Sequence, residues 1–191
     1  MMNIKYTLEF FSDWHCGSGL AAGADVDLLV VKDKDGLPFV PGKTIKGLIR
    51  EAVEDINQFS GLSLDEKIKE HFGFFDDKDT NEKGDMFFSN AVLPEDEHNA
   101  IVDNNAVKYM FRSIASTAID ENGIAKDHSL RKMEVTIPCT LSGDIYDVPD
   151  CLADVIYNAL RYIKRLGQNR NRGLGRCKFE QIEPKRKEDQ E

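Results

Sequence analysis

The segment richest in possible chemistry is Gly167-Gln168-Asn169-Arg170-Asn171-Arg172-Gly173-Leu174-Gly175-Arg176. Its glycines open backbone conformations closed to other residues and let a ligand backbone come close. Arg170, Arg172 and Arg176 present planar guanidinium forks that match phosphate oxygens. Read alone, the segment could still be a solvent loop. A second stretch, Pro41-Gly42-Lys43-Thr44, invites comparison with a nucleotide-binding loop. That motif needs glycine five positions before Gly42, where Leu37 stands and Gly36 misses by one, which argues against an NTPase. What survives is a helix start whose N–H groups, with Lys43, Lys46 and Arg50 beyond, suit a phosphate. Exposed lysines on an ordinary helix start give the same pattern.

Metal chemistry finds little support in the motifs. Asp77-x-Asp79-x-Asn81 opens like a calcium loop, but Glu82 replaces the turn glycine and Phe88 the closing glutamate. His15 and Cys16 have no second pair at zinc spacing, and His15 reads equally as a loop-tip or part-buried histidine. The cysteines, Cys16, Cys139, Cys151 and Cys177, are scattered without a disulfide framework, as expected of reduced thiols in a cytoplasmic protein.

The 191 residues fit one domain, and 41% hydrophobic residues supply a core. No apolar run is long enough for a membrane span, and the N-terminus lacks a signal-peptide core. The net charge of −9 argues against a surface that holds nucleic acid indiscriminately. The charges are segregated, however. Residues 76–103 carry nine carboxylates against Lys78 and Lys83, while residues 155–179 carry no acid and seven cations. A second acid-free stretch, residues 41–50, holds Lys43, Lys46 and Arg50. Local field rather than net charge governs binding of an anion.

These residues must be positioned by a small set of elements. Residues 4–11 read as a strand, followed by a glycine-rich loop through Gly23. Residues 26–32 and 37–40 read as hairpin arms around Asp33-Lys34-Asp35-Gly36. A helix spans about 44–58, with Ile45, Leu48, Ile49, Ala52, Val53 and Ile56 at helical spacing, and a shorter one about 64–71. Residues 76–85 read as a loop, 86–93 as a buried strand, 96–132 as a polar, irregular excursion and 134–145 as a strand. Pro149-Asp150 opens a helix to about Leu166, and residues 176–182 close as a strand. The expected fold is α+β: a ferredoxin-like, RRM-like β-α-β-β-α-β core over residues 1–183 with an inserted hairpin and a thumb-like excursion at about 96–133. Residues 184–191 read as a charged, frayed tail.

Taken in order, the segments resemble the RAMP superfamily, in particular the Csm- and Cmr-type backbone subunits of type III CRISPR effectors. The resemblance rests on His15-Cys16-Gly17-Ser18-Gly19, Ala24 through Asp33, Leu37-Pro38-Phe39-Val40-Pro41-Gly42-Lys43-Thr44-Ile45-Lys46-Gly47-Leu48-Ile49-Arg50, Phe72-Gly73, residues 86–91, residues 118–134 and the glycine-rich loop 167–175. Departures are Glu121 where arginine is common and Lys43 where serine is common.

The resemblance implies a subunit of RNA-guided antiviral defence that stacks with copies of itself, beside other effector subunits, along a CRISPR guide RNA. Base pairing would then read the target RNA. It places the guide-binding face on His15, Gly17, Gly19, Lys43, Thr44, Lys46, Arg50, Arg131, Arg170, Arg172, Gly173, Gly175 and Arg176, and likens residues 112–133 to a thumb wedged into the guide–target duplex. It also matches Asp27 to an aspartate that, with Mg²⁺ or Mn²⁺, cuts the target. That would make the chain an endoribonuclease active only in the assembled complex. The alternatives are a binding-only backbone subunit, a free-standing RRM-like binder, which would expose aromatics beyond the Phe87–Phe88 pair, and a guide-processing ribonuclease with His15 as base.

Overall fold

A computed structural model describes residues 1–21, 26–75 and 81–186. The strands are β1 (Met2–Phe10), β2 (Phe74–Phe75), β3 (Asn81–Glu82), β4 (Phe87–Phe88), β5 (Phe111–Ser116), β6 (Arg131–Thr136), β7 (Thr140–Val148) and β8 (Cys177–Arg186). The helices are α1 (Gly42–Ser60), α2 (Asp65–Phe72), α3 (Glu95–Asp103) and α4 (Asp150–Tyr162).

Four strands form the main sheet in the order β4-β7-β1-β8, every neighbour antiparallel. With α1 following β1 and α4 following β7, the chain realises the expected β-α-β-β-α-β order in an α+β fold. Alternation in β1 explains the layering. Ile4, Tyr6, Leu8 and Phe10 are buried while Lys5 and Glu9 are exposed, so one sheet face is apolar and the other polar. The apolar stripes of α1 (Ile45, Ile49, Ala52, Val53) and α4 (Leu152, Val155, Ile156, Ala159) bury in the same core. Each large aliphatic side chain so buried adds about 1.5–3 kcal/mol.

Five expectations need correction. The 26–32 arm does not form a regular hairpin with 37–40, since Lys32 and Pro38 make one bridge. It runs instead as a strap between the post-β1 loop and β6, bridging Gly17 through Val30 and Met133 through Leu28. The stretch expected to be irregular holds α3 and the β5–β6 hairpin, paired from Phe111–Thr136 to Ser116–Arg131. The expected 134–145 strand is two strands, broken ahead of Thr140, and the expected 86–93 strand is regular only at Phe87–Phe88. Finally, Pro184–Arg186 continue β8, where Arg186 pairs with Met2, rather than fraying. Residues 22–25, residues 76–80 of the acidic 76–85 loop and 187–191 lie outside the described residues.

Candidate nucleic-acid interface

The post-β1 loop is the junction that gathers the other segments. Asp13, nearly buried, holds the Arg112 guanidinium of β5 through its carboxylate, and its carbonyl accepts the Gly175 N–H at 2.7 Å. Trp14 bridges Thr136 of β6. The His15 carbonyl accepts the Gln168 N–H at 2.9 Å, and His15 Nδ1 lies 2.6 Å from the Glu134 carbonyl. Cys16 is buried, and burial pushes its thiol above the usual range, partly offset by a hydrogen bond with Thr44 and the Lys43 charge. The hairpin, the start of α1 and the C-terminal loop therefore converge on residues 13–16.

Two glycines of the C-terminal loop are required by this closeness. A Cβ at Gly167 would sit 2.4 Å from the His15 carbonyl oxygen, and one at Gly175 would sit 1.8 Å from that of Leu166. Both adopt positive φ, 96° and 67°, where a side chain is strained. Gly175 is thus a folding residue, whereas Gly173 is exposed with open space around it.

Glu134 fixes the strap from the other side. Its Oε2 accepts the Val30 N–H at 3.1 Å and its Oε1 the Lys32 ammonium at 2.8 Å. Asp27 closes the strap's far end: its N–H donates to the Lys132 carbonyl, and its Oδ2 accepts the Lys132 N–H at 2.7 Å. Asp27 then stands at the wall of an open cleft of about 480 Å³ between the hairpin and the C-terminal loop. Arg131 and Arg172 line the same cleft, with Asn169, Gln168 and Met133.

Other expected residues fall elsewhere. The His15 side chain is 1% exposed, so it cannot touch RNA or serve as a base for a bound strand; its role is to hold the loops. Gly17 and Gly19 are exposed beside it. Lys43 is exposed and Lys46 half-buried, but the helix start offers fewer free donors than expected. Asn90 Oδ1 accepts the Gly42 N–H at 2.9 Å, and the Pro41 carbonyl accepts that of Thr44. Gly42 serves packing, since a Cβ there would lie 2.1 Å from the Phe88 carbonyl oxygen. Arg50 is committed to Glu54 at 2.7 Å and to the Gly73 carbonyl at 3.1 Å, a brace between α1 and the end of α2 rather than a phosphate contact. Arg170 reaches Glu51 at 3.6 Å. Arg176 is exposed, over the Phe11 ring.

Sequence reasoning missed Asp13, Arg112 and Glu134 as positioning residues, because each acts across more than a hundred residues or nearly so and no local motif marks it. It also missed Asp33, Asp35 and His98, whose ligand atoms lie within 4.8 Å of one another. Asp33 Oδ1 accepts the N–H groups of Asp35 and Leu37, so this group closes the 33–36 turn against α3.

At its far end the hairpin presents Ile119, Ile124 and Leu130, exposed by 65, 64 and 63%. Asp120 fastens the tip by accepting the Asn122 and Ile124 N–H groups. Three aliphatic side chains in water on an ordered projection form a surface that gains by insertion into an apolar or stacked partner.

A family model for the RAMP superfamily matches residues 7–178, and the chain belongs to that superfamily. Its fold is shared with chains of a Type III-B Cmr-beta complex. In the apo state the match has a TM-score of 0.70 at 13% identity, covering 95% of this chain and 97% of the other. In the complex bound to cognate target RNA the TM-score is 0.70 at 11% identity, covering 94% and 96%. Comparison with curated proteins gives no significant match. Among the described residues no helix is long and apolar enough to cross a membrane.

Proposed function

We propose that the chain is an RNA-binding subunit of a type III CRISPR effector, gripping the guide backbone and the guide–target duplex beside copies of itself and other subunits. The observation that carries the reading is the cleft in which Arg131, Arg172 and Asp27 face one another between the hairpin and the C-terminal loop. Superfamily membership and the fold shared with Cmr-beta chains support it. Arg131 and Arg172 hold phosphates as bidentate forks, without regard to base. Lys43, Lys46 and Arg176 extend the basic rim, and the aliphatic tip of the hairpin wedges between base pairs as the thumb.

The same cleft supports target cleavage at Asp27. Among the described residues it is the sole carboxylate lining the cleft, and no group of three potential metal ligands there includes it. These residues therefore fit Mg²⁺ or Mn²⁺ only as a single-carboxylate anchor whose other ligands are RNA phosphate oxygens and water. A bound ion would supply charge neutralisation at the scissile phosphate. Asp27 would orient the target 2′-hydroxyl, and the two arginines would keep its phosphate in line. One observation favours the binding-only alternative: the Asp27 carboxylate already clamps the Lys132 N–H.

Asp27→Asn separates the two, because the amide oxygen still accepts that N–H but carries no charge. In the assembled complex with Mg²⁺, the catalytic reading predicts at least a hundredfold slower target cleavage with guide and target affinity within about twofold. A wild-type complex that binds target tightly and never cuts it with Mg²⁺ or Mn²⁺ supplied establishes the binding-only function.

A further inference from the structure

A second cleft, of about 340 Å³, lies between α1 and the segment that follows α4. Its opposing walls differ in character. On one side stand Tyr162, 53% exposed, and the exposed Lys164 and Arg165. On the other are Glu51 and Asp55, one helical turn apart and so on one face of α1. Arg170 spans the gap to Glu51 at 3.6 Å, and Arg165 steadies the Arg170 carbonyl with a hydrogen bond of 3.2 Å. Among the described residues neither the Tyr162 side chain nor the Asp55 carboxylate has a hydrogen-bond, ion-pair or ring partner.

These features narrow the ligand. Cations beside an exposed ring suit a phosphate with an attached flat group, since aromatic side chains serve as sequence-tolerant platforms for bases. An acidic peptide would satisfy the cations but bring carboxylates, with no flat group for the ring and no amine for the wall of Glu51 and Asp55. A nucleotide carries both an anion and, on adenine, cytosine and guanine, an amine that a carboxylate accepts; uracil has no such amine. The volume sits at the small end for ligand pockets, room for one nucleotide rather than a duplex.

We propose that this cleft seats one nucleotide of single-stranded RNA, with its base stacked on Tyr162, its phosphate against Lys164 and Arg165, and its exocyclic amine donated to Asp55. The inference rests on the RNA-binding reading above and adds to it a preference against uridine at this position. The cleft adjoins the arginine loop through Arg170, so the same strand can run from one site to the other.

The test is fluorescence anisotropy of the full chain with labelled ten-nucleotide oligoadenylate, oligocytidylate and oligouridylate across a salt series. Adenylate and cytidylate should bind more tightly than uridylate. Tyr162→Leu should weaken adenylate binding at least about fivefold with an unchanged salt slope, because stacking releases no counterions. Tyr162→Phe should restore it, and Asp55→Asn should erase the preference against uridylate. If Tyr162→Leu binds like wild type while Arg131→Ala/Arg172→Ala still loses affinity, the cleft proposal fails and the backbone-groove reading stands. If the wild type binds none of the oligonucleotides, both fail. Loss of assembly with other subunits at unaltered RNA affinity would assign the cleft to a protein and overturn the proposal.

Discussion

At His15, the nitrogen facing the Glu134 carbonyl must carry a proton, so Nδ1–H donates to that carbonyl, while Nε2 lies beside Gly17. Its position after the first strand was legible in the sequence, but its burial was not. A histidine beside glycines reads as exposed until the strap and β6 are known to cover it. The cysteines tell a similar story. Burial pushes Cys139 up to about 11 and Cys177 up to about 12, the latter partly offset by Lys164. An unfolded thiol ionises near 9, so above that pH the unfolded chain releases protons that the folded chain keeps. Stability is therefore lost as pH rises from about 9 toward 12, by about 1.4 kcal/mol per pH unit for each thiol ionised only when unfolded. Urea midpoints measured from pH 7.5 to 11 should fall across this window, and a flat profile would contradict the assignment. At pH 7.5 only the exposed Cys151 should react rapidly with a thiol reagent, while all four react after denaturation.

Among the elements, β1, α1 and α4 were readable because each carries its own period: alternation in the strand, and apolar side chains at helical spacing in the helices. The β5–β6 hairpin was not. Neither face of β5 is buried, so it has no apolar stripe to reveal it, and α3 likewise buries no residue. The strap was misassigned because its partners, Gly17, Met133 and Lys132, are distant in sequence while the Asp33–Gly36 turn advertises a local hairpin. The exposed tip gives the hairpin its own test. Ile119→Ser, Ile124→Ser and Leu130→Ser together should leave unfolding free energy within about 0.5 kcal/mol of wild type, as surface changes do. They should weaken binding to a guide–target duplex more than to the guide alone. A marked loss of thermal stability would place the tip in the core; equal effects on both RNAs would remove its role as a wedge.

For the whole molecule, the segregation of charge marked the segments that the fold gathers around the proposed interface. The acid-free stretches 41–50 and 155–179 supply Lys43, Lys46, Arg172 and Arg176, and the fold brings them to the side where the post-β1 loop, α1 and the C-terminal loop converge. The partner of Arg172 across the cleft, Arg131, comes from β6; the family resemblance singled it out, but its place opposite Arg172 follows only from the tertiary fold. The central claim is that this cleft grips an RNA backbone. Its most direct test is the salt dependence of single-stranded RNA affinity for wild type and Arg131→Ala/Arg172→Ala. Losing two phosphate contacts should weaken binding by a similar factor for every sequence. It should also flatten the log–log salt slope by about 1.4, at about 0.7 per contact. An unchanged slope, or a loss confined to one base sequence, would contradict the account.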